Sequence, residues 1–291
     1  MPARAYYGRN PSTFQLSIIM THWPHETAIT VFDAVTSTND TILEAGATDA
    51  PEGTTHIAHC QTRGRGRAER QWWSPPGGGL WMSTLLRPRV APSTWSGISL
   101  VVGSAACRAL QSLGVEATTL YWPNDLQVGD KKIGGILCEV RSRGARAWIS
   151  VGIGINIHFD GTSKPDQEPP PSDVRARATS MTECGAPTST TQLEVAEAVL
   201  ERLWPAYERF QDGKSIPELV GTDLAHVGET VDVRTGLQSW KGIVRGLGER
   251  GELLIEPTEG EPPESLSTTD GVIALTGGEV VYGNKSTGET K

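Results

Sequence analysis

The spacing of hydrophobic and polar positions divides the chain into strands and helices from about Ile29 onward. Apolar residues that alternate with polar ones, or run together over a few positions, predict strands at 29–35, 54–60, 80–86, 117–121, 126–128, 132–140 and 146–157. Helical spacing predicts one helix over 95–113 and another from 193 to 210. Ser37 or Thr38 can cap a shorter helix that ends near Ala45. The pattern predicts an α+β fold in which a mixed sheet carries few helices.

The pattern changes near His226, where short strands alternate with glycine turns. These strands are predicted at 229–234, 239–247, 251–257 and 271–275. We interpret residues 226–283 as a small SH3-like β-barrel that follows a larger domain at 28–225.

The two ends of the chain lack a sustained apolar pattern. Residues 1–27 predict a flexible extension, and the sequence leaves open whether Met1 or Met20 is the natural start. The apolar run from Leu16 to Met20 is too short for a signal peptide or a membrane span, so we expect neither export nor membrane attachment. The polar residues 284–291 predict a disordered tail.

Composition and charge narrow the classes of function. The chain has 291 residues, of which 37% are hydrophobic and 21% charged, and it can form a sizeable core. Its formal net charge of -8 argues against binding nucleic acid over a broad basic face. Its four cysteines form no CxxC pair, and neither HExxH nor another metal-ligand spacing occurs. We therefore expect the protein to lie in a reducing cytoplasm and to hold no metal ion of its own.

A segment rich in glycine and arginine carries the strongest chemical signal. It spans Gln61 to Trp72 and reads QTRGRGRAERQW. Glycines let the backbone approach a ligand closely, and arginines supply the charge that a polyanion requires. Taken alone, the segment is also compatible with a solvated basic loop or an RNA contact of the RG type.

Three further segments place polar groups among small residues. The sequence WPND at 122–125 precedes Lys132, which opens an apolar strand that contains two glycines. The sequence GIGIN at 152–156 clears space with alternate glycines and ends on Asn156, whereas STN at 37–39 lies at a strand-to-helix turn. Each segment alone is also typical of a purely structural role. These roles are a solvated lysine at a strand end, a tightly packed strand and a helix cap.

In this order and at these spacings, the segments resemble the biotin protein ligase family, also called biotin acetyl-CoA-carboxylase ligase. The resemblance covers Val35 to about Val281. Its markers are Ser37-Thr38-Asn39, Gln61 with Gly64-Arg65-Gly66-Arg67, Trp122-Pro123-Asn124-Asp125, Lys132 with Gly135-Ile136-Leu137, and Gly154-Ile155-Asn156. It implies a mixed-sheet catalytic domain related to class II synthetases and lipoate ligases, followed by an SH3-like domain.

The resemblance also implies a reaction and its partners. ATP, with the Mg²⁺ that it carries, would activate biotin as biotinyl-5′-AMP. The biotinyl group would then pass to one lysine of a biotin carboxyl carrier domain. We expect no nucleic-acid partner beyond the ATP substrate, no membrane partner, a monomer or weak homodimer, and a cytoplasmic location.

The same resemblance assigns roles to residues. Biotin would bind to Ser37, Thr38, Asn39, Gln61, Arg65, Gly66, Arg67, Lys132 and Gly135. ATP and the adenylate would bind to Arg67, Arg70, Trp72, Asn124, Lys132 and Asn156. Catalysis would fall to Lys132, Arg65, Arg67 and Asp125. Cations must be in place before the reaction, because the carboxylate and the α-phosphate that it attacks are both anionic. The Gly/Arg segment would also close over the water-sensitive adenylate, and Asp125 would orient or deprotonate the carrier lysine.

Three departures from the family pattern are visible. Arg63 stands where a small residue is usual, and Ala68-Glu69 stands where Arg or His followed by Gly is usual. Tyr121 replaces the Lys that commonly precedes WPND. Arg63 could offset repulsion between Glu69 and a phosphate across the loop. These changes bear on ligand affinity and loop dynamics more than on catalysis itself.

Alternative functions stay open on the sequence alone. A lipoate or octanoate protein ligase shares the glycine run at 77–79, but the His-Asp that follows in that family is absent here. A biotin-binding relative without turnover is a second alternative, and Glu69 lends it slight support. A DNA-binding repressor is not expected, because only about 30 residues precede Ser37 and they are neither basic nor periodic.

Overall fold

Two sheets organise the part of the chain that the structure describes. The structure is a computed structural model, and it describes residues 4–10, 13–20, 27–159, 169–236, 238–263, 266 and 268–282. The larger sheet contains β1 (Arg4–Asn10), β2 (Thr13–Met20), β3 (Thr27–Val35), β4 (Thr55–Gln61), β5 (Gly79–Leu86), β6 (Thr118–Tyr121), β7 (Asp125–Val128), β8 (Lys131–Arg143) and β9 (Arg146–Asn156). The smaller sheet contains β10 (Thr230–Thr235), β11 (Gln238–Leu247), β12 (Leu253–Glu259), β13 (Thr268–Thr269), β14 (Val272–Leu275) and β15 (Glu279–Tyr282). The α-helices are α1 (Thr38–Ala47), α2 (Ile98–Ser112), α3 (Ser172–Arg177), α4 (Gln192–Gln211) and α5 (Ile216–Val220).

The larger sheet is mixed, as the sequence predicts. Its strand order is β1-β2-β3-β4-β5-β9-β8-β7-β6. Strands β3 and β4 pair in parallel, and α1 supplies the crossover that a parallel pair requires. The other neighbouring strands pair antiparallel.

Helices cover both faces of this sheet. Strand β5 is buried along its whole length, and successive side chains of a strand point to opposite faces. Leu85 packs with Ile42 and Leu43 of α1 and with Trp148 of β9. Leu86 belongs to the main core, to which α2 and α4 contribute. The sheet is therefore the middle layer, with α1 on one face and the α2–α4 pair on the other.

Helix α4 confirms the amphipathic helix predicted from 193 to 210. Thr191 and Glu194 form a reciprocal capping box at its start. Its buried residues include Val199, Leu203 and Tyr207, which recur at helical spacing and face the core.

The smaller sheet confirms the short strands predicted beyond His226. Its strand order is β13-β14-β12-β11-β10-β15, and its neighbouring strands pair antiparallel. It contacts the larger domain directly, because Trp122 Nε1 donates to Gly251 O over 2.9 Å and Ser96 Oγ donates to Arg250 O over 3.0 Å.

The N-terminal segment differs from its sequence prediction. Strands β1 and β2 lie in the segment for which the sequence analysis predicts no strand. Strand β2 pairs with β3 from Gln15 opposite Phe32 to Met20 opposite Thr27. Unpaired backbone groups on the edge of a sheet can pair with another strand even when that strand has no alternating apolar pattern. The predicted flexibility of residues 1–27 stays a prediction, and the predicted disordered tail at 284–291 lies outside the described residues.

Candidate active site

One cavity brings together every residue to which the sequence analysis assigned a role in binding or catalysis. Its volume is about 550 Å³, and its walls include the start of α1, the central strands and the Gly/Arg segment between β4 and β5. The selected residues that line it are Ser37, Thr38, Asn39, Gln61, Arg65, Gly66, Arg67, Arg70, Trp72, Asn124, Asp125, Lys132, Gly135 and Asn156. Their individual roles stay predictions.

The N-terminus of α1 places an ordered polar group in the cavity wall. The backbone N–H of Thr38 donates to Gln61 Oε1 over 2.9 Å, and its hydroxyl donates to the same oxygen over 3.2 Å. Gln61 Nε2 donates to Ser74 Oγ over 3.0 Å, which fixes the orientation of the Gln61 amide. Ser37 precedes the helix and makes no capping bond through its hydroxyl in the described structure. This wall therefore presents oriented hydroxyl and amide groups.

Asn39 is buried behind this wall, with 3% of its surface exposed. Its Nδ2 donates to Leu137 O over 3.2 Å and to Glu139 Oε2 over 2.5 Å. Its Oδ1 accepts from the hydroxyls of Ser83 and Ser150 at 2.7 and 3.0 Å. Because both ends of the amide are bonded within the protein, Asn39 holds α1 against β5, β8 and β9. The direct ligand contact that the resemblance implies for Asn39 stays a prediction.

The Gly/Arg loop, residues 63–72, folds back as a short hairpin. Trp72 N–H donates to Gly64 O over 2.8 Å, and Gly66 N–H donates to Arg70 O over 2.7 Å. Arg65 lies opposite Gln71 in an isolated β-bridge. The hairpin sets the arginines along one rim of the cavity.

One of the three departures from the family pattern, Ala68-Glu69, lies at the tip of this loop. Ala68 and Glu69 have φ angles of 52° and 57°, in the left-handed region that disfavours side chains. Glycine adopts this region freely, so Glu69 strains the backbone where the family usually has glycine. Arg63 and Glu69 are both exposed, and compensation between them stays a prediction.

Arg65 is held by two carboxylates. Its Nη1 and Nη2 donate to Asp40 Oδ2 and Oδ1 over 3.0 and 2.7 Å, and Nη2 also lies 3.3 and 3.1 Å from the two Glu139 oxygens. The bonds from Arg65 keep the pKa of Asp40 below its ordinary value, and the bonds to Asp40 raise the pKa of Arg65 further. The ion pair therefore keeps both Asp40 and Arg65 ionised near neutral pH.

Arg67 extends further along the rim than Arg65. Its Nη1 donates to Asn124 Oδ1 over 3.2 Å, and its side chain is exposed. Asn124 Nδ2 donates to Ile136 O over 2.7 Å, so Asn124 is fixed against β8. Arg67 carries no carboxylate partner in the described structure and can offer its charge to an anion.

Lys132 forms a short ion pair at the start of β8. Its Nζ lies 2.6 Å from Asp125 Oδ1 and 5.1 Å from the centre of the Trp72 ring. Strand β7 carries Asp125 and pairs directly with β8, so the geometry of the pair is set by the sheet. One ammonium is thus positioned between a carboxylate and an aromatic face.

Glycines on β8 and β9 make room for Trp72. Gly135 and Gly154 are directly opposite each other across the two strands. A Cβ at Gly154 would lie 2.8 Å from Trp72 Cε2, which a real side chain could not tolerate, and one at Gly135 would lie 3.4 Å from Trp72 Cζ3. Trp72 Nε1 is buried and has no hydrogen-bond partner among the described residues. Gly154 therefore clears space for the Trp72 indole in the cavity, whereas Gly152 clears space for Asn39.

Asn156 ends β9 and is 4% exposed. Its Nδ2 donates to Thr179 O over 3.0 Å, and its carbonyl accepts from Met181 N–H over 2.9 Å. The bond from Nδ2 fixes the side chain in the cavity wall, and the bond to the carbonyl fixes the backbone.

Membrane-spanning helices and clusters of metal ligands are both absent from the described ranges. No helix there is long and apolar enough to cross a membrane. No group of three or more His, Cys, Asp or Glu residues there could hold a metal ion.

Comparisons with known proteins agree on one family. The profile of the biotin/lipoate A/B protein ligase family matches residues 31–156. The bifunctional ligase/repressor BirA of Bacillus spizizenii is 30% identical over 234 residues, which cover 78% of this chain and 69% of that protein. The biotin--acetyl-CoA-carboxylase ligase of Mycobacterium tuberculosis is 28% identical over 229 residues, which cover 76% of this chain and 80% of that protein. The structure of the Aquifex aeolicus biotin protein ligase in complex with biotin and ATP matches with a TM-score of 0.68 at 29% identity, over 87% of this chain and 97% of that chain.

The chain belongs to the biotin protein ligases of this family. The matched profile begins in β3 and ends at Asn156, the last residue of β9. Every cavity residue selected from the sequence lies inside it. Two contributions to the cavity of this biotin protein ligase lie outside it, and sequence reasoning missed both.

The first contribution comes from α3 and the residue after it. Val174, Arg177 and Ala178 line the cavity, although the surrounding Pro- and Ser-rich segment carries no motif. Ala178 forms a parallel β-bridge with Lys132, and the neighbouring Thr179 N–H donates to the Lys132 carbonyl over 2.9 Å. This contact adds the Arg177 guanidinium, which also bonds Asp173, to the rim.

The second contribution comes from the smaller sheet. Tyr282 on β15 lines the cavity, and its hydroxyl donates to Trp122 O over 3.3 Å. Its ring packs 4.8 Å from that of Tyr121 and stacks 4.4 Å from that of His226. Burial raises the pKa of both tyrosines, which keeps their hydroxyls protonated. The Tyr121 departure is thereby explained: an aromatic residue at this position joins the WPND turn to the smaller sheet.

Proposed function

We propose that this protein is an ATP-dependent biotin protein ligase that forms biotinyl-5′-AMP and transfers its biotinyl group to one lysine of a biotin carboxyl carrier domain. The observation that carries the proposal is the single cavity lined by all the residues of the family markers that were assigned to a ligand. Membership of the biotin protein ligases indicates the type of reaction, which is the ATP-dependent ligation of biotin to a protein.

The cavity suits both substrates. Biotin needs a few converging hydrogen bonds for its ureido ring and apolar walls for its valeryl chain. Thr38 and Gln61 offer such bonds, and Met82 and Ile153 offer such walls. Arg67, Arg70, Lys132 and Arg177 line the same cavity and suit the phosphates of ATP.

In the first half-reaction a carboxylate oxygen of biotin attacks the α-phosphorus of ATP. A new P–O bond forms, the bond from the α-phosphorus to the bridging oxygen breaks, and pyrophosphate leaves. Negative charge grows on the phosphate oxygens, and Lys132, held by Asp125 at 2.6 Å, supplies a cation oriented in advance. Arg67 and the Mg²⁺ carried with ATP supply further positive charge.

In the second half-reaction the amine of the carrier lysine attacks the acyl carbon, an amide bond forms and AMP leaves. The lysine ammonium has a reference pKa of ~10.4 and must lose a proton before its nitrogen can attack. Asp125 lies at the cavity wall. It serves as the orienting group or base once Lys132 also contacts the ligand and no longer binds Asp125 alone. The Gly/Arg loop excludes water from the adenylate in the meantime.

The proposal extends to the whole molecule. Residues 28–225 form the catalytic domain, and residues 226–283 form an SH3-like domain that the antiparallel pairing of β10 to β15 supports. The enzyme acts in the cytoplasm as a monomer or weak homodimer, and its macromolecular partner is the carrier domain of a biotin-dependent carboxylase.

Exchange of labelled pyrophosphate into ATP tests the first half-reaction. We expect exchange that requires biotin and is not supported by lipoate or octanoate. Exchange with lipoate but not with biotin would overturn the proposal in favour of a lipoate ligase.

A further inference from the structure

Arg65 differs from the other arginines of the Gly/Arg loop in its surroundings. It carries two carboxylate partners, Asp40 on α1 and Glu139 on β8, with donor–acceptor distances from 2.7 to 3.3 Å. Its bidentate bond to Asp40 uses the fork geometry that makes arginine–carboxylate pairs strong and directional. Arg67 and Arg70 in the same loop are exposed.

The charge around Arg65 is unsuited to an incoming phosphate. One guanidinium and two carboxylates sum to a net charge of −1. Asp40 also accepts a bond from Thr36, and its pKa lies below its ordinary value mainly because of its bond to Arg65. A phosphate that reached Arg65 would therefore meet two anions as well as one cation.

The carboxylates also connect the loop to the polar wall of the cavity. Glu139 Oε2 accepts from both Arg65 and Asn39. Asn39 is bonded to Ser83, and Ser83 lies 2.7 Å from the Thr38 hydroxyl. One chain of hydrogen bonds thus runs from the loop to the groups proposed to bind the biotin ring.

We propose that Arg65 is a latch for the Gly/Arg loop, and that Asp40 and Glu139 are its positioning residues. The latch ties the start of the hairpin to α1 and β8, so that the loop stands in place over the biotin site. Phosphate binding is left to Arg67 and its neighbours on the rim. This inference rests on the proposed function and replaces the role in phosphate stabilisation that the family resemblance implies for Arg65.

The latch and the alternative, in which Arg65 turns to the phosphate, predict opposite effects for Asp40→Asn. If Arg65 binds phosphate, removing a competing carboxylate frees it and lowers the KM for ATP. If Arg65 is a latch, the same change loosens the loop, raises the KM for biotin and leaves the KM for ATP nearly unchanged.

The experiment compares Asp40→Asn, Glu139→Gln, Arg65→Gln and the double variant Asp40→Asn/Arg65→Gln in pyrophosphate exchange. We expect a rise of about ten-fold in the KM for biotin in each single variant, the scale of one lost charge-assisted bond, with the KM for ATP within about two-fold of wild type. The double variant should be no worse than Arg65→Gln alone, because that variant already removes the bond to Asp40. Asp40→Glu should restore part of the loss. A lower KM for ATP in Asp40→Asn, or additive losses in the double variant, would overturn the latch.

A second readout does not depend on ligase activity. Trypsin should cut after Arg67 about ten-fold faster in Asp40→Asn than in wild type without substrates, because one strong tether of the loop is lost. Asp49→Asn is the matched control, since it breaks the exposed pair with Arg146 outside the cavity and should leave this rate unchanged. Equal cleavage rates in wild type and Asp40→Asn would contradict the latch. Failure of wild type to exchange pyrophosphate with any acid would contradict the proposed function, and the cleavage rates would still test the latch.

Discussion

Lys132 and Asp125 form the ion pair on which the proposed adenylation depends. The pair lies in the cavity, with Nζ 2.6 Å from Oδ1, and the pairing of β7 with β8 sets its position. A cation held in place before the reaction needs no reorganisation as charge develops on the phosphate.

Lys132→Ala should lower the single-turnover rate of biotinyl-5′-AMP formation by about 10²- to 10³-fold, because it removes that preorganised charge. The melting temperature should stay close to that of wild type. Lys131→Ala is the matched control, since Lys131 is the exposed neighbour on the same strand. A near-normal rate in Lys132→Ala would remove this residue from the mechanism.

Glu69 destabilises the folded protein through the strained conformation of its own backbone. Its φ of 57° is left-handed, where a non-glycine residue loses about 1 kcal/mol. Glu69→Gly should therefore raise the free energy of unfolding by about 1 kcal/mol in urea titrations. Glu116→Gly, at an exposed position without positive φ, should lower it instead. Destabilisation by Glu69→Gly would show that the tip of the loop is not strained.

Asp40 should give the protein a distinct response to acid. Its pKa in the folded protein is below its ordinary value of 3.8, chiefly because of its bond to Arg65. Such a group stabilises the fold above its unfolded pKa, and this stabilisation is lost as the pH falls through the folded pKa. The difference in unfolding free energy between wild type and Asp40→Asn should be constant above about pH 5 and shrink below about pH 4. In an Arg65→Gln background the same comparison should show a smaller pH dependence, because only Thr36 and Arg141 would then still lower the pKa of Asp40. An unchanged pH dependence there would contradict the assignment.

At the scale of elements, periodicity predicted the strands and the longer helices well. Alternating apolar residues sufficed for β3 to β5, and helical spacing sufficed for α2 and α4, because one buried face selects both patterns. The polar residues Ser37 and Thr38 also marked the start of α1 correctly, although Ser37 makes no capping bond through its hydroxyl. Strands β1, β2, β13 and β15 were not predicted. Addition of β2 to the edge of β3 depends on backbone groups rather than on a side-chain pattern, and β13 and β15 are only two and four residues long.

The candidate site was predictable only where its residues lie in motifs. Markers such as GRGR, WPND and GIGIN led to the cavity residues between Ser37 and Asn156. Arg177 and Tyr282 could not be found in this way, because tertiary contacts bring them in from distant segments. Arg65 was found, but its carboxylate partners were not, since Asp40 and Glu139 meet it only in the folded chain.

The junction between β15 and the WPND turn gives a test at the scale of elements. Tyr282→Phe keeps the ring but removes the bond to Trp122 O, and should cost about 1 kcal/mol of stability. It should also lower kcat, because that bond helps to place the turn that carries Asn124 and Asp125. Tyr121→Phe is the matched control: it removes a bond to Gly129 O and should lose similar stability without the loss of kcat. Equal kcat values for the two variants would show that the bond from Tyr282 does not position the turn.

At the scale of the whole molecule, the cavity is a joint product of both sheets. The larger sheet supplies the matched family segment, and the smaller sheet adds Gly278, Val280 and Tyr282 to the wall. The chain carries a formal net charge of -8, yet arginines and a lysine are concentrated around this cavity. A local basic site in an acidic protein fits a small polyanionic substrate better than a long nucleic acid.

Biotin transfer tests the account most directly. The purified protein is incubated with ATP, Mg²⁺, biotin and the carrier domain of a biotin-dependent carboxylase, and the carrier is analysed by mass spectrometry. The account predicts one added biotinyl group on a single carrier lysine, dependent on ATP and strongly reduced in the Lys132→Ala variant. An unmodified carrier after prolonged incubation with the wild-type protein, or a carrier modified only when lipoate replaces biotin, would contradict it.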